Sequence, residues 1–336
     1  MNYFNLTPEQ QKTVITQTAA RVGLPMQAVE KDLWVTTLLQ LLFTLPFASQ
    51  LLFKGGTSLS KSYGLIHRFS EDIDLVIDRN YFGYEGDLTK KQIKQLRKQS
   101  SLFVEKEFTI ALKQVIENFG LQKFCTIIAQ PNGEGDNTYP EPRKVEVFYQ
   151  SLFSNIAYLQ PKVVLEVGTR SLFEPTEPTQ VKSLITSTFQ QIETDMVSVI
   201  ITTASPAKTF LEKSFLLHEL FTTHKGDKAE RKSRHLYDLE KMMDKSFAIE
   251  AISNNELWET IAYHRKLFTS VLGVDYTPDI RKRIQLTPPP NIVDVWAKDY
   301  QEMQESMIYG DSLPFNKLLE RIHILENRFH NVEKQN

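Results

Sequence analysis

The stretch LLFKGGTSLSKSYGLIHRFSEDIDLVID, Leu51 to Asp78, joins an apolar run to two adjacent glycines, then to a hydroxyl cluster, then to alternating aspartates. The apolar run predicts a short strand closed by Gly55 and Gly56. "TSLSKSYGLI" restarts as a helix with Thr57 or Ser58 at its N-cap. "EDIDLVID" returns to strand by its alternation and β-branched content, and Asp78 opens "DRN" as a turn cap.

Each half of the stretch has a chemical use and an ordinary one. Glycines lack Cβ, so the backbone at Gly55 and Gly56 can approach a ligand closely. The helix start that follows offers unpaired N–H groups suited to phosphate, with Ser58 and Ser60 as added hydroxyl donors. A tight turn between strand and helix explains the same glycines. Asp72 and Asp74 lie two apart on the strand, so both carboxylates project from one face. They repel unless a cation compensates them, and hard divalent ions such as Mg²⁺ take oxygen ligands of this kind. Two such ions on a triphosphate can assist transfer to a hydroxyl and departure of pyrophosphate. The alternative is a solvated strand edge, which Ile73 and Leu75 facing the other way equally allow. Glu166, in "VVLEVG", either faces solvent or shares the face of the aspartates.

Outward from this stretch, "NLTPEQQKTV" predicts a helix capped by Thr7 ahead of Pro8, and a second helix covers Met26 to Phe43. Ile93 to Phe119 is predicted helical, with Phe108, Ala111, Leu112, Val115, Ile116 and Phe119 on one face. Strand candidates are "FCTIIAQ", "KVEVFYQSL", "KVVLEVGTRS" and "MVSVIITTAS", with "PNGEGDNTYPEP" a loop and "EPTEPTQ" a turn. From Pro206 onward the pattern is helical. One late stripe holds Ile292, Trp296, Tyr300, Met303 and Met307; another holds Phe315, Leu318, Leu319, Ile322, Leu325 and Phe329. The expectation is an α+β protein, with an α/β lobe over residues 1–203 and a helical C-terminal lobe over residues 204–336.

The chain has 336 residues, 41% hydrophobic and 24% charged, as in globular proteins. A net charge of −2 argues against a surface wholly devoted to nucleic acid, though a basic patch can be local. The single cysteine, Cys125, rules out an internal disulfide and a multi-cysteine zinc site. No basic-then-apolar leader opens the sequence. "LWVTTLLQLLFTLPF" is too short and interrupted to span a bilayer. A cytoplasmic protein is expected, with no membrane partner. His218, His224 and His235 have no supporting ligand spacing and are assigned to no metal.

"FKGGTSLSKSYGLIHRFSEDIDLVI" resembles the signature of the AbiEii-type nucleotidyltransferase toxins, within the DNA polymerase β-like nucleotidyltransferase superfamily. "VEKDLWVT", "KVVLEVGTRSLFEPTEP", "FLEKSFLLHEL", "SRHLYDLEKM" and "WAKDYQEMQESMIYG" are similar to further family segments, in the same order. Fourteen residues separate Thr57 from Asp72, long for the superfamily but similar to this branch. The resemblance implies a polymerase-β-like lobe with a mixed sheet and a helical lobe closing the cleft. It implies that Gly55, Gly56, Thr57 and Ser58 cradle an NTP, that Asp72 and Asp74 bind Mg²⁺ with Glu166 as third carboxylate, and that Lys213 and Asp238 match the family's essential lysine and late aspartate. Many members carry Arg-Asp where this chain has Arg234-His235, which leaves open which of Arg234, His235 and Asp238 meets substrate. From the residues alone, Lys213 is by default a surface lysine, and Asp238 a cap or a partner of Arg234.

The resemblance further implies transfer of a nucleoside monophosphate to the tRNA 3′ acceptor end, blocking translation, and a cognate antitoxin from a neighbouring gene. Transfer to a protein or small molecule, or a degenerate binding module, are the rivals. "HKGDKAERKSRH" holds five Lys or Arg against two acids. It is either a contact for RNA phosphates or a solvated loop, and "KKQIKQLRK" poses the same choice.

Overall fold

The computed structural model describes residues 2–70, 72–135, 138–154, 159–194 and 197–332, the side chain of His224 excepted. Of the sequence expectations, Glu71 of the predicted "EDIDLVID" strand, Asp136 and Asn137 of the predicted loop and Met196 of the last strand candidate lie outside the described residues. Two compact units divide the chain: Met1–Ser62 with Phe69–Ala204, and Tyr63–Arg68 with Ser205–Asn336.

In the first unit, α1 (Pro8–Val22) starts at Thr7, whose side chain and that of Gln10 cap each other's backbone. The next helix, α2 (Met26–Leu42), is buried along almost its whole length, which is why its sequence is apolar without amphipathic alternation. Strand β1 (Leu51–Lys54) runs directly into the short helix α3 (Gly55–Lys61), and β2 (Asp72–Ile77) follows. The predicted Ile93–Phe119 helix is α4 (Lys90–Phe103), a π-helical turn at Val104–Phe108, then α5 (Thr109–Asn118). Phe108, Leu112 and Ile116 are buried as the periodicity required.

Among the described residues, seven strands form one mixed sheet in the order β3-β4-β5-β2-β1-β7-β6. These are β3 (Cys125–Ala129), β4 (Arg143–Tyr149), β5 (Lys162–Gly168), β6 (Thr176–Thr179) and β7 (Ile201–Ala204) with β1 and β2. β2 runs parallel to β5 and antiparallel to β1. One face of the sheet sends Phe53, Ile73, Leu75, Ile77, Val145, Val147, Val163, Leu165 and Val167 into the core, against Trp34, Leu38 and Leu42 of α2 and Phe108 and Leu112 of the next helical segment. By strict alternation the opposite face receives Asp72, Asp74, Lys144, Glu146 and Glu166. The core thus fixes where the carboxylates point.

Three expectations are corrected. "EPTEPTQ" is not a turn: Thr176–Thr179 pairs antiparallel with β7, and Pro178 is tolerated because β6 is the last strand of the sheet. "MVSVIITTAS" narrows to Ile201–Ala204, the span over which β6 supplies a partner. Finally, α3 begins at Gly55 with Lys54 at its N-cap, so Thr57 and Ser58 lie inside its first turn.

The second unit is built from α7 (Pro206–Phe221), α8 (Arg234–Met242), α9 (Ser246–Ser253), α10 (Asn255–Phe268), α11 (Val293–Ser306) and α12 (Phe315–His330), α6 (Leu184–Thr188) being the intervening turn of helix in the first unit. Phe215 stacks on Trp258 at 4.4 Å and Phe221 meets Trp296 at 4.6 Å. Ile292, Trp296, Tyr300, Met303 and Met307 are all buried, as are Leu318, Ile322, Leu325 and Phe329. Among the described residues, no helix is long and apolar enough to cross a membrane.

Candidate active site

The glycine turn and the aspartates meet at one point. Gly55 has φ +82°, a conformation that side chains disfavour. A Cβ added there would collide with the Asp74 carboxylate, its Cγ only 2.9 Å away. The glycine is therefore required twice, by backbone angle and by the carboxylate lying over it. The hydroxyls beside it serve the chain itself. Thr57 and Ser58 are buried; Thr57 Oγ1 bonds the Asp72 carbonyl and the Ser70 hydroxyl, and Ser58 Oγ donates to the Gly55 carbonyl at 2.9 Å. What this segment can offer a phosphate is backbone N–H at the glycines. Lys61 ends α3, and its Nζ is 2.6 Å from Asp32 Oδ1. Asp32 also accepts from the Leu184 N–H, so the "VEKD" of α2 is a brace for α3.

A single rung of the sheet carries the charges. Lys54 pairs with Asp74, Asp74 with Glu166, and Glu166 with Lys144, across β1, β2, β5 and β4. Glu166 thus lies on the face of the aspartates, half-buried like both of them. Lys144 Nζ is 2.9 Å from Glu166 Oε1. That hydrogen bond raises the lysine pKa; partial burial opposes it, and the charges of Glu166, Asp72 and Glu146 reinforce it. Hard carboxylate oxygens on one half-buried face fit Mg²⁺, which takes one or two carboxylates and completes its shell with phosphate oxygens and water. Among the described residues, no group of three or more His, Cys, Asp or Glu side chains is drawn together as a metal cage.

In the second unit Asp238 is wholly buried. Arg68 grips it with both prongs, Nε donating to Oδ1 at 2.6 Å and Nη2 to Oδ2 at 2.7 Å. Lys213 Nζ is 2.9 Å from the same Oδ2 and 3.3 Å from His235 Nδ1. Burial by itself would raise the Asp238 carboxyl, but Arg68 and then Lys213 outweigh it and hold it below the ordinary range. Burial, helped by Arg68 and opposed by Asp238, pulls the Lys213 ammonium below the usual lysine value. Burial and the adjacent Lys213 keep His235 neutral, so its Nδ1 accepts a hydrogen bond from the Lys213 ammonium. The family resemblance brought Lys213 and Asp238 forward, and the structure joins them directly. The partner considered for Asp238 was Arg234; the one found is Arg68, 170 residues away. Arg68 gave one local signal, a lone arginine between Ile66 and Phe69, both apolar.

His218 has a structural task, its Nδ1 accepting the Gln285 N–H at 3.0 Å. The basic segment is a built loop: Lys232 Nζ donates to the carbonyls of Lys225 and Lys228 at 3.0 and 2.9 Å, and Asp299 accepts from the Arg231 and Ser233 amides. Lys225, Lys228 and Arg231 are exposed, whereas Lys232 is partly enclosed. In "KKQIKQLRK", Lys90, Lys91, Lys94 and Lys98 are exposed on α4.

A mixed sheet bearing a carboxylate pair beside a strand–Gly-Gly–helix turn is the α+β arrangement that the nucleotidyltransferase resemblance implied. The chain belongs to the AbiEii family, described as the nucleotidyl transferase AbiEii toxin of type IV toxin–antitoxin systems, whose pattern matches residues 37–321. Among solved structures it is similar to MenT4, a nucleotidyltransferase toxin from Mycobacterium tuberculosis H37Rv. The identity is 15% and the TM-score 0.52, over 98% of this chain and 95% of that one, a likeness of fold. No curated protein matches it.

Proposed function

We propose that this toxin transfers the nucleoside monophosphate of an NTP to a hydroxyl at the 3′ acceptor end of tRNA, and so blocks translation. The acceptor oxygen bonds to the α-phosphorus, the bond to the bridging oxygen breaks, pyrophosphate leaves and the hydroxyl proton is released. The observation carrying this reading is the contact of Gly55 with the Asp74 carboxylate, which joins a backbone able to meet phosphate to a pair of hard-ion ligands. Asp72 and Asp74, with Glu166 beside Asp74, would hold Mg²⁺. Bound there, the ions would supply positive charge to offset the negative charge that builds on the departing pyrophosphate.

The chain's own residues have separate tasks in this reading. Gly55 and Gly56 present amides to the triphosphate. The family resemblance gives Lys213 the task of offsetting triphosphate charge, and within the second unit Asp238 holds Lys213 in place. The cognate antitoxin answers to the toxin's family.

The test is incubation of the full chain with each radiolabelled NTP, Mg²⁺ and total RNA. A labelled tRNA-sized band is expected. A labelled protein band would move the acceptor to protein while keeping the chemistry; absence of label on any macromolecule or small acceptor would remove the chemistry.

A further inference from the structure

We propose that Lys144 is the chain's own counter-ion for the carboxylate face, balancing Glu166 and Asp72 until a divalent cation takes its place. The inference rests on the metal-site reading of Asp72, Asp74 and Glu166 above, and adds a residue that none of the sequence motifs contains.

Three observations carry it. The rung Lys144–Glu166–Asp74–Lys54 puts two carboxylates side by side between two lysines. Lys144 Nζ contacts Glu166 Oε1 at 2.9 Å. The acidic charges of Glu166, Asp72 and Glu146 all act on Lys144. Glu146 has a lysine of its own, Lys162 Nζ lying 2.5 Å from Oε1, which leaves Lys144 to Glu166 and Asp72.

The exposures define what kind of pair this is. The Lys144 side chain is 51% exposed and that of Glu166 27%, so the pair adds little to folding stability. Its value is electrostatic and local. An ammonium and a divalent ion compensating the same carboxylates repel each other, so the lysine must yield when the metal enters. Lys144 therefore lowers metal affinity while sparing the empty site its carboxylate repulsion. A long, rotatable side chain at the surface can withdraw into water at small cost, which a buried arginine could not do.

The experiment is a titration of Mn²⁺ into the full chain without NTP, at low ionic strength, following unbound Mn²⁺ by electron paramagnetic resonance. Lys144→Met should bind Mn²⁺ about three- to tenfold more tightly than wild type, from the repulsion removed over a few ångströms in a water-rich site. Its melting temperature without metal should stay within about 2 °C of wild type. Lys144→Arg, which keeps the charge, should bind Mn²⁺ as wild type does. Glu166→Gln should weaken binding and abolish most of the gain when combined with Lys144→Met. Equal or weaker Mn²⁺ binding by Lys144→Met, or none, overturns the counter-ion role. Asp74→Asn separates the two layers: if it binds Mn²⁺ like wild type, the metal-site reading itself fails and takes this inference with it. If Asp74→Asn loses the ion while Lys144→Met is unchanged, only the counter-ion role falls.

Discussion

Asp238→Asn keeps the shape of the side chain and removes the charge around which Arg68 and Lys213 gather. Asp238 is fully buried, Arg68 is 1% exposed and Lys213 9%. Leaving a buried charge uncompensated costs about 3–5 kcal/mol, and two cations are involved. Lys213 has an exit, because burial and Arg68 already draw its ammonium below the ordinary range. In the variant it gives up its proton, and Arg68 alone stays uncompensated. The expected loss at pH 7 is therefore about 3–5 kcal/mol rather than double that.

The pH dependence follows from proton counting. Unfolded Lys213 keeps its proton up to about pH 10.4, while in the folded variant the amine is neutral. The unfolded state then binds more protons, so the stability of Asp238→Asn rises with pH through the alkaline range. Wild type shows the opposite end of the scale. Its Asp238 is depressed when folded, so that contribution is complete above the unfolded carboxyl value of about 3.9 and is lost only as pH falls below it. Urea unfolding of the variant at pH 7, 8 and 9, and of wild type from about pH 5 down through the unfolded carboxyl range, followed by the fluorescence of Trp258 and Trp296 in the same unit, measures both effects. Lys213→Met in the Asp238→Asn background should recover part of the loss, with a coupling of about 1 kcal/mol or more. An Asp238→Asn protein within about 1 kcal/mol of wild type, or no coupling with Lys213, would refute the buried-triad reasoning.

Other substitutions test the catalytic reading. Gly55→Ala meets the Asp74 carboxylate at an unfavourable φ. It should lose about 1–3 kcal/mol of urea stability and most nucleotidyl transfer; normal turnover would show that the contact is dispensable. Asp72→Ala and Asp74→Ala should each retain less than about a tenth of wild-type turnover, with melting in the absence of Mg²⁺ unchanged or slightly higher because repulsion is removed. Lys213→Ala should weaken NTP binding and slow transfer, and Lys213→Arg should not restore either, since a planar guanidinium cannot replace an ammonium there; normal kinetics would return Lys213 to a structural role. Lys225→Gln with Lys228→Gln should flatten the salt dependence of tRNA binding by about 0.7–0.9 in log–log slope for each phosphate that is no longer neutralised. Lys232 is left intact in that variant because it ties the loop together, and an unchanged slope would place RNA elsewhere.

The sequence by itself determined what depends on near neighbours. The Thr7 cap, the α4–α5 stripe, the glycine turn and the one-faced Asp72 and Asp74 all follow from spacings of a few residues, and backbone geometry converts such spacings directly into directions. Tertiary structure decided the rest. Glu166 had two possible faces until its register with Asp74 on β5 and β2 chose one. "TEPT" became a strand because β7 offered it an edge, something no propensity within those four residues encodes. The hydroxyls of Ser58 and Ser60 looked like phosphate donors until their backbone partners, the Gly55 and Thr57 carbonyls, appeared. Lys144 lay in a strand candidate and Arg68 inside the signature stretch, yet neither had a role there that near neighbours could reveal. Each acquires its meaning from a partner, Glu166 across a strand pair and Asp238 some 170 residues away, and charge pairing over such distances along the chain is settled by packing, which brings together what sequence order keeps apart.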